Sequence, residues 1–287
     1  MNMPSDSQKP EWDLVLRPKS GWFDLHLADL WRYRDLIQLF VWRDFASQFK
    51  QTILGPLWFI INPLITTVTF TIVFGGIAKL STDGLPKFLF YQSGLTLWQY
   101  FSGCLSSTSG TFTANAGIFG KVYFPRLVSP ISTVISGLGQ LAIRYALFLG
   151  FLAYFMLSGS NVHPNLWILA TPLLILLMAG MGLGAGIIIS ALTTKYRDLA
   201  QVVGFGTSLL MYATPIIYPL SQIPDRWKWL VLANPITPVI EAFRYAYLGA
   251  GSFQPVYLLY SIAATALLLF AGVLLFSHVE KTFMDTV

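Results

Sequence analysis

The sequence predicts an all-α integral membrane protein. It has six transmembrane helices, an amphipathic interface helix at the N-terminal end, and re-entrant or interfacial helices between spans five and six. Three observations carry that prediction. Composition comes first: 55% of the 287 residues are hydrophobic and 11% are charged, against about 25% charged in soluble chains. Next, long apolar runs recur along the chain, and in lipid such runs must close their backbone hydrogen bonds as helices. Finally, the basic residues are unevenly shared between alternate loops.

Residues 1–26 are polar and carry Pro4, Pro10 and Pro18. No apolar core follows a basic start there, so internal spans are expected to direct insertion. Residues 27–54 read as the interface helix. At 100° per residue, Leu30, Ile37, Val41 and Phe45 share one face, with Arg32, Asp35, Arg43 and Lys50 roughly opposite. That separation suits a helix lying along a membrane surface, although Arg34, Leu36 and Leu39 interrupt it.

The transmembrane region occupies 55–279. Its first span, 57–78, is uncharged and long enough to cross a ~30 Å hydrocarbon core. Pro56 suits a first helical turn, and Asn62-Pro63 is expected to bend the span. Further spans are expected at about 88–113, 128–157, 166–192, 199–220 and 256–279, and 280–287 forms a tail. The 88–113 run, rich in Ser, Thr and Gly, is the least hydrophobic. Residues 221–254 are too long for a turn and too interrupted by Pro224, Pro235, Pro238 and Gly249 for two spans, so short helices shielded by the bundle are expected there. Twelve of the 18 Lys and Arg residues fall on the side of the N-terminus and five on the other. The positive-inside rule then places both ends in the cytoplasm. The net charge of +5 accordingly reports orientation and need not signal nucleic acid. Cys104 is the only cysteine, which excludes an intrachain disulfide.

The eighteenth basic residue, Arg144, lies in the middle of the third span, where a charge costs at least ~2.5 kcal/mol. No Asp or Glu lies inside any expected span to neutralise it, so it should either line a substrate path, facing water or an anionic ligand, or bind helix carbonyls or the opposite subunit structurally. Trp58, Phe59, Tyr91, Trp98, Tyr100 and Phe101 cluster near the ends of the first two spans. They form either an interfacial aromatic belt or a surface on which sugar C–H faces can pack. Gly180, Gly182, Gly184 and Gly186 make two overlapping G-x-x-x-G pairs that admit a close neighbouring helix, in this subunit or another. Glu241 and Arg244 can pair across one helical turn. His26, His163 and His278 are dispersed, and no H-E-x-x-H or carboxylate cluster marks an enzyme. A P-loop is also missing. Its nearest approach, at Gly120-Lys121, has Asn115 and Val122 where Gly and Ser or Thr are required.

Several segments occur together in one known family. LGPLWFIINPL opens the first span, GKVYFPR lies in the second loop on the N-terminal side, and KYRDLAQVV precedes the fifth span. TPIIYPL closes that span, and NPITPVIEAFRYAYLG follows. Their order resembles the permease subunits of bacterial polysaccharide-export ABC transporters, the exporters of O-antigen, capsule and teichoic acid, over about residues 30–279. The resemblance implies a transport subunit with no cofactor of its own. Two copies would join two copies of a cytoplasmic ATPase, which binds ATP and Mg, and would move an undecaprenyl-pyrophosphate-linked polysaccharide, O-antigen foremost, through the inner membrane. It also implies a coupling segment at 117–126. Gly117, Phe119, Lys121, Tyr123, Phe124 and Arg126 would meet the ATPase there, the aromatics in a cleft and the cations on acidic residues or lipid phosphate. Without the resemblance the same segment reads as a positive-inside loop. Two alternatives stay open: an exporter of the same fold for drugs or small lipids, and a membrane enzyme of envelope glycan assembly.

Overall fold

The computed structural model describes residues 27–49, 55–111, 114, 115, 117, 124–193 and 199–282. Among these, ten α-helices appear: α1 (Leu27–Arg32), α2 (Arg34–Phe49), α3 (Trp58–Phe70, continued by a π-helical turn Thr71–Ile77), α4 (Lys87–Ser109), α5 (Val128–Leu157), α6 (Thr171–Thr193, entered through a 3-10 turn Leu166–Ala170), α7 (Leu199–Ala213), α8 (Asp225–Leu232), α9 (Ile236–Leu248) and α10 (Pro255–Thr282). Four helical stretches are long and apolar enough to cross a membrane: Trp58–Ile77, Val128–Leu157, Leu166–Thr193 and Pro255–Ser277. The second expected span, α4, has 23 residues, which is ample at 1.5 Å each. It carries Gln92, Ser93, Thr96 and Thr108 in the bundle interior, where protein rather than lipid covers them. The fifth, α7, has 15 described residues.

Pro63 does not break α3. The helix runs through it, and Thr67 Oγ1 donates to the Pro63 carbonyl at 2.8 Å. The irregularity comes later, in the π turn containing Gly75 and Gly76. There Lys87 Nζ donates to the Gly75 carbonyl at 2.5 Å.

The centre of the bundle is a three-helix slab, with α6 between α4 and α10. Alternating glycines explain how the helices come so close. A Cβ built on Gly180 would stand 2.6 Å from Thr265 Cγ2, and one on Gly184 would stand 2.8 Å from the backbone of Leu268, both on α10. Cβ atoms on Gly182 and Gly186 would each lie 2.6 Å from the Cβ of Cys104 and Thr108, on α4. Residues two apart on a helix point to nearly opposite sides, so each G-x-x-x-G pair serves one neighbour.

Between α7 and α10, the chain forms two short helices of different character. α8 lies outside the core, whereas α9 is buried along almost its whole length. Its apolar side chains join the large core cluster through Val239, Ile240, Phe243 and Tyr247. Both ends of α9 hold the Thr214-Pro215-Ile216 segment beyond α7. Asn234 Nδ2 donates to Thr214 Oγ1 at 2.8 Å. Near the other end, Arg244 Nη1 donates to the Pro215 carbonyl and Nη2 to the Ile216 carbonyl at 2.9 Å. Arg244 is 1% exposed, pairs with Glu241 at 3.1 Å and stacks on Phe90, 3.8 Å from the ring centroid. Glu241 Oε2 accepts in turn from the Ser252 backbone N–H. These bonds use most of the pair's remaining hydrogen-bonding capacity, with Arg244 Nε left buried and without a partner.

The N-terminal helices dock on the opposite end of the bundle. Leu30, Tyr33, Leu36, Ile37 and Phe40 pack against Phe124, Leu127, Val128, Ile187 and Phe276. The face expected to meet lipid is thus turned to protein at Leu30 and Ile37. Leu36, which interrupts the pattern in the sequence, belongs to that inward face. Arg32, Arg34, Asp35 and Arg43 are exposed, as are Trp31, Leu39 and Trp42. Lys50 lies outside the described residues.

Candidate functional site

α5 crosses the bundle beside α2 and α4, and one of its faces is polar. Thr133, Ser136, Gln140 and Arg144 recur at spacings of three and four, so they line up along one side of the helix. Opposite them stand Gln99, Tyr100, Gly103, Cys104 and Ser107 of α4, with Asp44 and Ser47 of α2 at the end nearest the N-terminal helices. Together these residues enclose a cavity of about 240 Å³. The cavity stays open because its floor is small: a Cβ on Gly103 would meet nothing within 4 Å.

Arg144 is half-buried at the far end of this cavity. Its Nη2 donates to Gln140 Oε1 at 3.1 Å, one turn back on the same helix. The arginine therefore looks into a polar chamber inside one protomer. Asp44 supplies a carboxylate to the same chamber from outside the spans, so a search of the spans alone misses it. Arg43 already holds that carboxylate, with Nη2 and Nε at 2.7 and 2.9 Å from Oδ1. Ser136 borders the chamber with a buried side chain whose Oγ has no hydrogen-bond partner. Of the chamber's residues, sequence reading singled out Arg144 and Tyr100. The polar stripe at helical spacing in an otherwise apolar span was the available signal for Ser136 and Gln140.

The aromatic group divides. Trp58 is 49% exposed on α3, and Phe59 on the same helix is half-buried. Tyr100 borders the chamber and donates to the Val134 carbonyl at 3.3 Å. Tyr91, Trp98 and Phe101 belong to the hydrophobic core, exposed by 0%, 4% and 3%, and present no ring to a path in this conformation. Their position on α4, the most enclosed long helix, accounts for the difference from the sequence expectation.

Of the coupling segment, Phe119, Lys121 and Tyr123 lie outside the described residues. Gly117 is helical and exposed. Phe124 and Arg126, expected to reach an ATPase, are instead buried, at 5% and 7% exposure. The Phe124 ring meets Phe40 of α2 edge-on, with centroids 5.8 Å apart. The segment's C-terminal end and the surface helix are therefore joined within the protomer.

Long apolar helices around a buried central slab, with a cation-bearing polar chamber among the described residues, mark a polytopic membrane protein. The chain belongs to the ABC-2 type transporter family, whose family model matches residues 35–248, from the start of α2 to the last residue of α9. Families of this type work in general with an ABC ATPase. Relatives extend the match beyond that region. The chain is 28% identical over 255 residues to the O-antigen export system permease protein RfbA of Klebsiella pneumoniae, covering 88% of this chain and 94% of that protein. It is 26% identical over 265 residues to the RfbA protein of Myxococcus xanthus, covering 91% and 98%. With the polysialic acid transport protein KpsM of Escherichia coli it shares 25% identity over 248 residues, covering 85% and 93%.

Proposed function

We propose that this chain is the transmembrane subunit of an ATP-driven exporter that carries a lipid-linked polysaccharide, O-antigen in the first instance, outward through the inner membrane. The observation that carries the reading is the nearly end-to-end similarity to permeases named for O-antigen export. The carrier lipid is undecaprenyl pyrophosphate, and ATP and Mg are bound by a separate cytoplasmic ATPase. Two copies of each subunit assemble, and α4 and α7 complete six spans. Both termini lie in the cytoplasm, on the strength of the twelve-to-five distribution of basic residues. The α2 end of the bundle, with the Arg144 chamber, then faces the leaflet in which a newly made lipid-linked glycan resides.

The transport path runs between the two copies, along the helices that the protomer leaves uncovered. The exposed side chains of α3 and α7, among them Trp58, Val202, Phe205 and Leu209, support that placement. ATP-driven closure of the partner moves the 117–126 segment, and the Phe124–Phe40 contact passes that motion to α2. Deleting the gene in its native host is the test. Undecaprenyl-linked glycan should accumulate inside the cells and disappear from the surface, and the cloned gene should restore it. Normal surface glycan in the deletion strain refutes the proposal.

A further inference from the structure

The polar chamber does not end at Arg144. On α5, positions 136, 140, 144, 147, 151 and 154 fall within 80° of one another at 100° per residue, so they form a single face. Polar up to Arg144, that face becomes apolar beyond it. Ile143, Ala146, Leu147, Gly150, Phe151 and Tyr154 line a cleft of about 550 Å³ that Ile60 of α3 closes on the other side. Small residues give the cleft its depth, and a Cβ on Gly150 would meet open space. A polar chamber holding a guanidinium is thus followed, along the same helix, by an open apolar groove of lipid-chain character that begins at Ile143, next to Arg144. That sequence of surfaces matches an amphiphile with an anionic head.

We propose that this composite cleft, one in each protomer, is a docking site for the phosphate end of the polyprenyl carrier. The pyrophosphate sits in the chamber against Arg144, and the first isoprene units lie along α5 beside Ile60. It rests on the reading that the substrate is lipid-linked, and it adds a place within each protomer that the lipid occupies outside the path between subunits. Arg144 supplies a charge-assisted donor pair to the phosphate oxygens. Asp44 at the chamber's end stays neutralised by Arg43.

Native mass spectrometry on the full-length chain, purified with its accompanying ATPase, tests the site. The probes are undecaprenyl pyrophosphate, undecaprenol, phosphatidylglycerol and inorganic pyrophosphate. The wild type should bind undecaprenyl pyrophosphate more tightly than any of the other three. Arg144→Gln should weaken that binding on the order of tenfold, the value of one hydrogen bond to a charged group. Gly150→Leu, which fills the apolar channel at a position with room for the side chain, should weaken undecaprenyl pyrophosphate and leave inorganic pyrophosphate unchanged. Neither variant should melt below the wild type. Undiminished binding in both variants overturns the site while leaving the lipid-linked substrate standing. Failure of the wild type to bind undecaprenyl pyrophosphate removes the substrate reading as well. Phosphatidylglycerol binding as tightly as the carrier, with the same losses, assigns the cleft to a bilayer phospholipid and overturns the carrier.

Discussion

Replacing Arg244 with methionine keeps side-chain length and apolar bulk but removes a guanidinium around which three segments meet. In the wild type that group donates to the Pro215 and Ile216 carbonyls, pairs with Glu241 at 3.1 Å and covers the face of Phe90. The variant leaves two buried carbonyls without a donor and Glu241 with only the Ser252 N–H. Breaking a buried pair by removing one partner costs about 3–5 kcal/mol. For a chain of this size that lowers the melting midpoint by on the order of 10 °C. The assay is thermal unfolding of the purified protein in one detergent, followed by intrinsic fluorescence. Two further variants separate charge from packing. Gly94→Ala would put a Cβ 2.9 Å from Arg244 Nη2 and 3.2 Å from Ile216 Cγ2, so it should destabilise without altering any charge. The double variant Arg244→Met/Glu241→Met should recover part of the loss, because no unpaired carboxylate remains. A single Arg244→Met variant melting within ~2 °C of wild type, a loss of no more than about 1 kcal/mol, refutes the claim that this arginine fastens α9 to the end of α7.

The glycines of α6 supply an internal contrast. Gly182→Ala, whose Cβ would stand 2.6 Å from Cys104 Cβ and 3.0 Å from the Phe101 carbonyl oxygen, should cost about 1–3 kcal/mol in detergent unfolding. Gly150→Ala, with nothing near its Cβ, should stabilise by ~0.5–1 kcal/mol through helix propensity. Phe40→Ala removes the ring that meets Phe124. It should lower export several-fold while ATP hydrolysis by the reconstituted complex persists, as read by glycan transport and phosphate release in parallel. A reporter active only in the cytoplasm, fused after Val287, should be active, and a periplasm-specific one silent.

What the sequence reveals is set by periodicity. Runs of apolar residues placed α3, α5, α6 and α10 within a few residues, because lipid exposure writes itself as uninterrupted hydrophobicity. α4 was legible only by length. It is wrapped by other helices, so its polar residues face protein and its hydropathy falls below that of a lipid-facing span. The glycine pairs were visible as motifs, but that they serve two different neighbours follows only from packing. Arg144 stood out as a lone charge in a span, whereas Asp44 and Ser47, which share its chamber, come from a helix distant in sequence. Glu241 and Arg244 announced their pairing by spacing. The carbonyls of Pro215 and Ile216, which the arginine also holds, carry no sequence signal. Phe124 illustrates the reverse error: an aromatic in a basic loop reads as available for a partner, and Phe40 already covers it.

The seating of bare glycine backbone against α4 and α10 has a mechanical consequence. Helices interlocked at 2.6–2.8 Å to a notional Cβ cannot ratchet by a turn past one another, since every other register would press a side chain into main chain. The middle of each subunit therefore behaves as a fixed keel. Any change of shape during a working cycle has to be taken up by rods hinged at its rim, α3 with its loosened π turn and α7 with its bare flanks.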